Sequence, residues 1–334
     1  MGPGRVGFDP VVLEALLRAF EKGTLAQVRI PPMATRIEEP DSEIDNIYGH
    51  VLTSIPSLPP VLTTISQLLD DPEASLREIA RILSSDEGLA SRVLRLVNSA
   101  YYGMPRRIST IPLAMTILGA KAVKNHVINI ALADMMGGLS GGLKGFNILW
   151  AHALKTATWA RLLATRAAKT DSDEAFTAGL VHDIGKALAL RLKPSDYSRV
   201  VIESAGSGKE MRGVEVQVMG FDHTRLGAWL AAKWGLPHTL VSSIRWHHDP
   251  EQVSSEDESV RELVIVIYIA DLIARACERG ECDIEAMLSR EVEAWIVNVL
   301  PSGFFENMAE IAREAEEREK AVEESFASSG ITIA

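Results

Sequence analysis

Apolar residues recur at spacings of three and four along almost the whole chain, a pattern typical of α-helices that bury one face. Leu89, Val93 and Leu96 show this spacing in the first half. In the second half, residues 263–270 form an uninterrupted apolar run, and flanking charged residues extend it beyond strand length without a turn residue. This favours a buried helix over a strand. The sequence therefore predicts an all-α fold, a bundle of many helices.

Composition and charge exclude several classes of function. The longest apolar run has eight residues, too short to span a bilayer, and no basic stretch followed by an apolar core marks a secretory signal. The net charge of −11 does not favour non-specific nucleic-acid binding, which depends on Lys and Arg neutralising phosphates. The two cysteines, Cys277 and Cys282, are expected to be plain thiols in a reducing compartment, so we expect a cytoplasmic protein without a membrane segment.

A glycine-rich segment, residues 137–145, is the clearest internal boundary and is predicted to be a linker. It separates a helical N-terminal subdomain over 55–136 from a second helical subdomain over 146–300. A helix followed by an irregular arm is expected over 1–54. An acidic helix and tail are expected over 301–334, where glutamates outnumber the basic residues.

Capping residues and apolar spacing predict where the helices lie. Asn147 and Asp171 are suited to N-cap positions. Asn98 and Ser99 end a helix, and either capping with turn formation or contact with a ligand explains them. Helices are expected over 110–118, 120–135, 147–168, 171–192, 210–219, 222–234, 237–248, 257–278, 283–299 and 305–325.

One short segment combines a histidine, an aspartate and a lysine. His182, Asp183 and Lys186 can share one face of a helix, because residues three and four apart are neighbours there. Gly179 and Gly185 each cost about 1 kcal/mol of helix stability relative to Ala. Such a cost is usually accepted where another group must approach the backbone closely.

Four more histidines and one aspartate lie at positions predicted to face inward, to open a helix or to close one: His152, His223, His247, His248 and Asp271. Taken singly, each has an ordinary interpretation. His152 can be a hydrogen-bonded core residue, the His-His pair can favour a helix C-terminus, and Asp271 can pair with a nearby arginine.

Taken together, these imidazoles and carboxylates point from several helices toward one place. Such ligands suit divalent transition metals, namely Fe, Mn, Ni or Zn, and a carboxylate can bridge two ions. Two ions about 3.5–4 Å apart hold a phosphate ester and generate a hydroxide nucleophile. A lysine beside them neutralises phosphate charge. The sequence therefore predicts a site for one or two divalent metal ions.

This ordered set resembles the HD superfamily of metal-dependent phosphohydrolases, and it is most similar to the HDOD family, the HD-related output domain of bacterial signalling proteins. The resemblance covers roughly residues 55–280, and we refer to residues 146–300 as the HD-like half. The matching segments are 55–60, 85–89, 94–103, 114–119, 219–223, 234–237 and 247–248.

The resemblance implies an all-α fold and a role in signal transduction, usually as a module without catalysis whose metal ligands are lost. This chain keeps the ligands, and in this it is similar to the HD-GYP branch, which hydrolyses cyclic di-GMP. By that resemblance, one ion has the ligands His152, His182, Asp183 and Asp271. The second ion has the bridging Asp183, His223 and His247, with His248 nearby.

Two departures from the HD-GYP pattern bear on catalysis. The Gly-Tyr-Pro segment expected after the His-His pair is absent, and Ile148 stands where some members carry a metal-binding glutamate. One hypothesis is therefore a signalling module that binds a protein partner or a nucleotide at its metal site. The alternative is a phosphohydrolase acting on a nucleotide or cyclic dinucleotide, with Asp183 and Lys186 as catalytic residues. A third is a structural protein with hydrogen-bonded core histidines.

Overall fold

Every regular element among the described residues is a helix, and no strand occurs there, as the apolar spacing predicts. The computed structural model describes residues 41–50, 76–98, 108–140, 145–207, 210–253, 257–280 and 283–328. The α-helices are α1 (Ser42–Tyr48), α2 (Leu76–Ser85), α3 (Glu87–Val97), α4 (Ile111–Leu118), α5 (Ala120–Ser140), α6 (Phe146–Ala164), α7 (Ser172–Val181), α8 (Ile184–Leu192), α9 (Pro194–Ser207), α10 (Met211–Met219), α11 (His223–Lys233), α12 (His238–Trp246), α13 (Glu258–Glu278), α14 (Ile284–Glu291), α15 (Ala294–Val299) and α16 (Met308–Ser328).

Two clusters of buried apolar side chains organise the described helices. The smaller cluster lies among α2 to α5 and includes Leu83 and Val93. The larger one is built mainly from α6 to α16 and includes Leu163. Helix α5 belongs to both, because its Val127 packs in the smaller cluster and its Leu132 in the larger. The two halves of the chain therefore share one helix as a common wall.

Helix α6 begins two residues earlier than predicted. Its N-cap is Gly145, which has a φ of 96°, and Asn147 lies inside the helix instead of capping it. A left-handed residue at this place favours glycine, since L side chains rarely adopt positive φ. The prediction for Asp171 is confirmed: its carboxylate accepts hydrogen bonds from the N–H groups of Asp173 and Glu174 at the start of α7.

The single helix predicted over 171–192 is divided into α7 and α8, with the break at His182 and Asp183. The Gly179 carbonyl, which a continuous helix would pair with the Asp183 N–H, accepts a hydrogen bond from Nδ1 of His182 at 2.7 Å. Asp183 has φ −103° and ψ 17°, outside the helical values. The break places both side chains at a helix junction, where they can be aimed independently.

The predicted helix over 283–299 is also divided, into α14 and α15, because Val292 and Glu293 adopt extended conformations. The hydroxyl of Tyr268 donates to the carbonyl of Glu291 at 3.3 Å, which supplies that helix-end carbonyl with a partner. Helix α5 continues to Ser140 and so takes in the first four residues of the predicted linker.

In the part of the chain that the structure describes, two α-helices lie where the sequence analysis predicted none. Helix α9, which begins at Pro194, fills a gap between predicted helices, and proline at a first helical position is a start signal that the sequence offered. Helix α1 lies in the predicted arm, capped by Asp41, with Ile44 and Tyr48 buried in the larger cluster.

The acidic C-terminal helix α16 is not solvated on every side. Its apolar stripe packs in the larger cluster, and Phe326 meets Trp150 of α6 edge to face with 5.6 Å between ring centroids. Lys155 of α6 adds an ion pair to Glu319 at 3.5 Å.

Asn98 closes a turn in the N-terminal half. Its side-chain amide donates to the carbonyls of Leu94 at 2.6 Å and Ile108 at 2.7 Å, and its oxygen accepts from the N–H of Ile108 at 2.7 Å. This supports the capping interpretation of Asn98 and leaves no side-chain donor aimed at a ligand.

Several predicted features lie outside the described residues: the helix before residue 24, the matching segments 55–60 and 99–103, Ser99, Cys282, and linker residues 141–144. Among the described helices, none combines the length and the apolar character that crossing a bilayer requires.

Candidate metal centre

All the predicted metal ligands come together in the HD-like half. His152 is on α6, His182 and Asp183 form the junction of α7 and α8, His223 is the first residue of α11, His247 and His248 follow α12, and Asp271 is on α13. All of them are buried except His248, which is half-buried.

Glycines allow the helices that carry these side chains to touch backbone to backbone. A Cβ on Gly185 would lie 1.9 Å from the carbonyl oxygen of His223 and 2.8 Å from the nitrogen of Gly227. A Cβ on Gly179 would lie 2.7 Å from Cα of Ala157. The expected close approach at Gly179 and Gly185 is thus confirmed, and it draws α11 against α8 and α6 against α7.

Asp183 stands between two groups of imidazoles. Its Oδ1 lies 3.3 Å from Nε2 of His223 and 3.6 Å from Nε2 of His247. Its Oδ2 lies 3.3 Å from Nε2 of His182 and 3.7 Å from Nε2 of His152. Each carboxylate oxygen therefore faces its own pair of ring nitrogens.

Asp271 faces His152 and His182, the two histidines that Oδ2 of Asp183 also faces. Its Oδ1 lies 3.2 Å from Nε2 of His152 and 4.0 Å from Nε2 of His182. Its Oδ2 pairs with Arg275 at 2.9 Å. The arginine pairing considered for Asp271 is therefore present, and it leaves the other oxygen directed at the histidines.

His248 completes the far side of the cluster. Its Nε2 lies 3.2 Å from Nε2 of His223, and its ring centroid lies 4.1 Å from that of His247. Two ring nitrogens that face each other at this distance share either one proton or one cation between them.

Three potential ligand atoms are buried and lack a hydrogen-bond partner: Nε2 of His182, Nε2 of His247 and Oδ1 of Asp183. Nδ1 of His182 is bonded to the carbonyl of Gly179 at 2.7 Å, and Nδ1 of His247 to that of Ile244 at 2.9 Å. Because a carbonyl only accepts, Nδ1 carries a proton in both rings, which leaves Nε2 as the nitrogen that can offer a lone pair to a cation. Unpartnered buried polar atoms are costly, and cations bound in the cluster would give each of these atoms a partner.

The ligand atoms form three overlapping sets, in each of which they lie within 4.8 Å of one another. The sets are Asp183 with His223, His247 and His248; Asp183 with His152 and His182; and Asp271 with His182 and His247. Imidazole and carboxylate donors in such sets fit Fe, Mn, Ni or Zn. The residues present therefore fit the predicted divalent ions.

The charges around Asp183 favour the protonation states that metal binding requires. Burial alone would raise the pKa of Asp183, but His182 and Lys186 outweigh burial and hold that pKa well below its usual range. Nζ of Lys186 lies 2.6 Å from Oδ2 of Asp183, and this carboxylate raises the lysine pKa against the effect of burial. Burial lowers the pKa of His247 to about 4, so its ring is neutral at pH 7.

His152 has carboxylates on both ring nitrogens, because Nδ1 lies 2.9 Å from Glu278 while Nε2 faces Asp271. Burial lowers the pKa of His152, but the two carboxylates outweigh burial and raise the pKa to about 9. Without metal this ring holds two protons at pH 7, and a cation at Nε2 would displace one of them.

Helix α10 supplies a second layer that the sequence analysis missed. The buried carboxylate of Glu215 accepts the backbone N–H of His223 at 2.9 Å and lies 2.7 Å from its Nδ1. Arg212 donates to Asp222, the N-cap of α11, at 3.2 Å and to both oxygens of Asp249 at 2.9 and 2.6 Å. Helix α10 therefore fixes the two chain segments that carry His223 and the His247-His248 pair.

A cavity of about 500 Å³ adjoins the cluster. Its walls combine ligands of the cluster, charged side chains and apolar side chains. They are His152, Asp183, Lys186, Arg275, Glu278, Tyr197, Ser198, Leu149, Leu190, Met211, Ile148, Val201, Ile202 and Gly145. The cluster is thus accessible to a molecule in the cavity although its own side chains are buried.

A family model for the HDOD domain matches residues 55–250, more than half of the chain. The chain belongs to the HDOD family. The crystal structure of an HDOD domain protein with unknown function from Geobacter sulfurreducens superposes with a TM-score of 0.67 at 26% identity, over 86% of this chain and 99% of that one. The family and the all-α fold expected from the sequence are therefore confirmed.

Two curated relatives are longer proteins. An uncharacterized protein of Treponema pallidum is 26% identical over 251 residues, which cover 74% of this HDOD chain and 47% of the relative. Ribonuclease Y of Mycoplasma mycoides is 30% identical over 155 residues, covering 46% of this chain and 28% of the relative. The chain thus spans about half or less of the curated relatives it matches.

Proposed function

We propose that this HDOD chain is a bacterial signal-transduction module whose HD-like half holds divalent transition-metal ions and binds a nucleotide phosphate at them. The proposal is carried by one observation: Nε2 of His182, Nε2 of His247 and Oδ1 of Asp183 are buried ligand atoms without a hydrogen-bond partner. A structural protein with satisfied core histidines would not gather three such atoms in one cluster with further imidazoles and carboxylates.

The positions of the carboxylate oxygens support two ions. In this proposal Asp183 is the bridging ligand, because its two oxygens face different pairs of histidines. The first ion is held by His152, His182, Asp183 and Asp271. The second is held by Asp183, His223 and His247, with His248 nearby.

Bound ions would supply Lewis acidity toward phosphate oxygens. The protein's own contribution is charge and position. Lys186 lines the cavity and lies 2.6 Å from Asp183, so its ammonium group can contact a phosphate that reaches the cluster. The ion pair with Asp271 keeps the guanidinium of Arg275, a second positively charged side chain, on the same wall of the cavity.

Hydrolysis of a phosphate ester, including a cyclic dinucleotide, is a second candidate function. It is favoured by the cavity, because His152, Asp183 and Lys186 all line it and a bound ester would therefore meet the cluster directly. The name of the Mycoplasma relative, Ribonuclease Y, denotes cleavage of phosphodiesters and is compatible with this candidate. In it, Asp183 and Lys186 are the catalytic residues.

Metal content and ligand binding test the proposal on the full chain. We expect elemental analysis after loading with Mn²⁺, Fe²⁺, Ni²⁺ or Zn²⁺ to find one to two ions per chain, and titration calorimetry to detect a nucleoside monophosphate or cyclic di-GMP. The Asp183→Ala variant should lose both metal binding and ligand binding. The control Asp134→Ala changes an exposed aspartate of α5 and should keep both properties. A folded chain that retains none of the four metals would contradict the proposal.

Turnover separates the two candidates. Release of product from cyclic di-GMP or a nucleotide, abolished by Lys186→Ala in protein that still holds its metal, would establish the hydrolase. Binding without turnover would establish the module. A protein partner for the module is expected from the family resemblance and is a further proposal, tested by co-purification with a signalling protein.

A further inference from the structure

Three exposed apolar side chains surround the cavity beside the cluster. Ile148 is 74% exposed, Val201 45% and Ile202 71%. In the described part of the chain only four other large apolar side chains are comparably exposed, and none of them lines this cavity. Exposed apolar groups gathered at one opening indicate a surface that a ligand covers.

The cavity changes character along its length. On α6, Ile148 is exposed, whereas His152 lies one turn further along the helix and is buried in the cluster. On α9, the exposed Val201 and Ile202 follow the buried Tyr197 at a spacing of about one turn. Two helices therefore lead from an apolar rim to a polar interior.

The polar interior carries the positive groups. Lys186 and Arg275 line the cavity and hold their charges beside the buried carboxylates of Asp183 and Asp271. The carboxylates of Asp183 and Glu278 line the same end, so its attraction for an anionic group comes from Lys186 and Arg275 together with the ions of the proposed metal centre. The volume of about 500 Å³ lies in the range of pockets for small organic ligands.

We propose that the cavity selects phosphate esters whose organic group has an apolar face, such as an aromatic ring, and packs that face against Ile148, Val201 and Ile202. The phosphate lies at Lys186, so the inference rests on the proposed function for its anionic end. It adds the side chains that contact the organic group of the ester and the requirement that this group present an apolar face.

The gain in binding affinity from the three exposed apolar side chains is large enough to measure. Covering about 60 Å² of apolar surface strengthens binding roughly tenfold. Exposed side chains can be changed with little effect on folding, because they contribute little buried surface. Val201→Ser and Ile202→Ser therefore test the rim without disturbing the cluster.

Phosphonates are suitable probes because their carbon–phosphorus bond resists hydrolysis, so binding is measured without turnover. We suggest titration calorimetry of the Mn²⁺-loaded full chain with inorganic phosphate, methylphosphonate and benzylphosphonate. Benzylphosphonate should bind about tenfold more tightly than methylphosphonate. In the Val201→Ser/Ile202→Ser variant that advantage should fall to about twofold or less, with metal content and phosphate affinity unchanged. The matched control Ile47→Ser, an exposed isoleucine of α1, should keep the full advantage.

The outcomes separate this inference from the proposed function. If all three probes bind with equal affinity, or if the double variant keeps the tenfold advantage, the inference is wrong and the metal-dependent phosphate site stands. If none of them binds to metal-loaded protein, the proposed function fails and the inference fails with it. If benzyl alcohol binds as tightly as benzylphosphonate, the rim is an apolar docking surface for another molecule, such as a partner protein, and the inference is overturned.

Discussion

The two halves of the chain are built from similar helices but bury different chemistry. In the described part of the N-terminal half, the buried polar side chains are Asn125, His126 and Asn129, and no carboxylate is buried. The HD-like half buries five carboxylates, three of which contact histidines of the candidate metal centre: Asp183, Glu215 and Asp271. Since burying charge is expensive unless it is paired, the difference marks the half that carries a site.

Histidines show the same contrast. Burial lowers the pKa of His126 in the N-terminal half to about 3, with the charge of Arg161 acting in the same direction. His152, which is also buried, has carboxylates at both ring nitrogens and a pKa raised to about 9. A buried imidazole therefore indicates a metal centre only where carboxylates and further imidazoles share its surroundings.

The largest effect on the free energy of unfolding is expected from two substitutions, one in each half of the chain. Leu83→Ala leaves a cavity in the N-terminal core, and Gly185→Ala drives a Cβ into the His223 carbonyl. Each should lower the free energy of unfolding by about 3 kcal/mol. Only Gly185→Ala should also lose metal, because the clash separates α11 from α8. Urea unfolding and elemental analysis measure the two effects.

Gly213→Ala is the matched control for the glycine substitution. Gly213 is a helical glycine of α10 with open space where a Cβ would lie, so alanine there should stabilise the protein by up to about 1 kcal/mol and keep the metal. Equal metal content in Leu83→Ala and Gly185→Ala protein would contradict the conclusion that only the HD-like half carries the metal site.

Metal removal should affect one half more than the other. An ion present at a hundred times its dissociation constant stabilises the folded chain by about 2.7 kcal/mol, and a chelator should remove that stabilisation. Hydrogen exchange should show the added protection in α6, α8 and α11, with α2 and α3 unchanged. Uniform protection across both halves would show that the ions act on the whole fold and would contradict a local site.

Asn98→Ala should have a purely structural effect. It removes three side-chain hydrogen bonds to Leu94 and Ile108, so we expect a loss of about 2 kcal/mol in unfolding free energy. Metal content per folded chain should equal that of the wild type, as measured by elemental analysis. A loss of metal or phosphonate binding in this variant would restore the ligand-contact interpretation of Asn98.

The smallest expected effect concerns the second layer of the cluster. Glu215→Gln keeps the size of the side chain, and its amide oxygen can still accept from the backbone N–H and from Nδ1 of His223, but the negative charge beside the ring is lost. Because the charged second layer raises the basicity of the ligand ring, we expect metal affinity to weaken about tenfold, measured by competition with a chelator. Nitrogen chemical shifts of the His223 ring should report the weaker hydrogen bond at Nδ1.

Glu203→Gln, on the exposed side of α9, is the control for that change. It should alter neither metal affinity nor the His223 spectrum. Unchanged affinity in Glu215→Gln protein with a shifted His223 spectrum would show that His223 is not a ligand.

Much of the fold could be predicted from the sequence, because apolar spacing reports which face of a helix is buried. The helix over residues 263–270 was predicted from the length of its segment and the absence of turn residues in it, and it is confirmed as part of α13. The breaks within the predicted helices 171–192 and 283–299 were not found. They coincide with contacts of side chains with backbone carbonyls, from His182 to Gly179 and from Tyr268 to Glu291, which spacing does not reveal.

The candidate ligands could be identified because imidazoles and a lysine recur with carboxylates in an order that few other sites share. The supporting residues could not. Glu215 and Glu278 matter through partners eight and 126 residues away in the chain, and their pairing is fixed only by how helices pack. The one available signal was a glutamate between two valines on a predicted helix, Val214 and Val216.

Helix α5 connects the two halves, and this has a consequence for the proposed signalling role. Its apolar side chains belong to both clusters, and it packs against α7 and α8, whose junction is formed by His182 and Asp183. Closely packed interiors transmit displacement instead of absorbing it. In the proposed signalling role, a partner that displaces α5 would therefore shift Asp183, and metal bound at Asp183 would in turn stiffen α5 itself while α2 and α3 stay as they are.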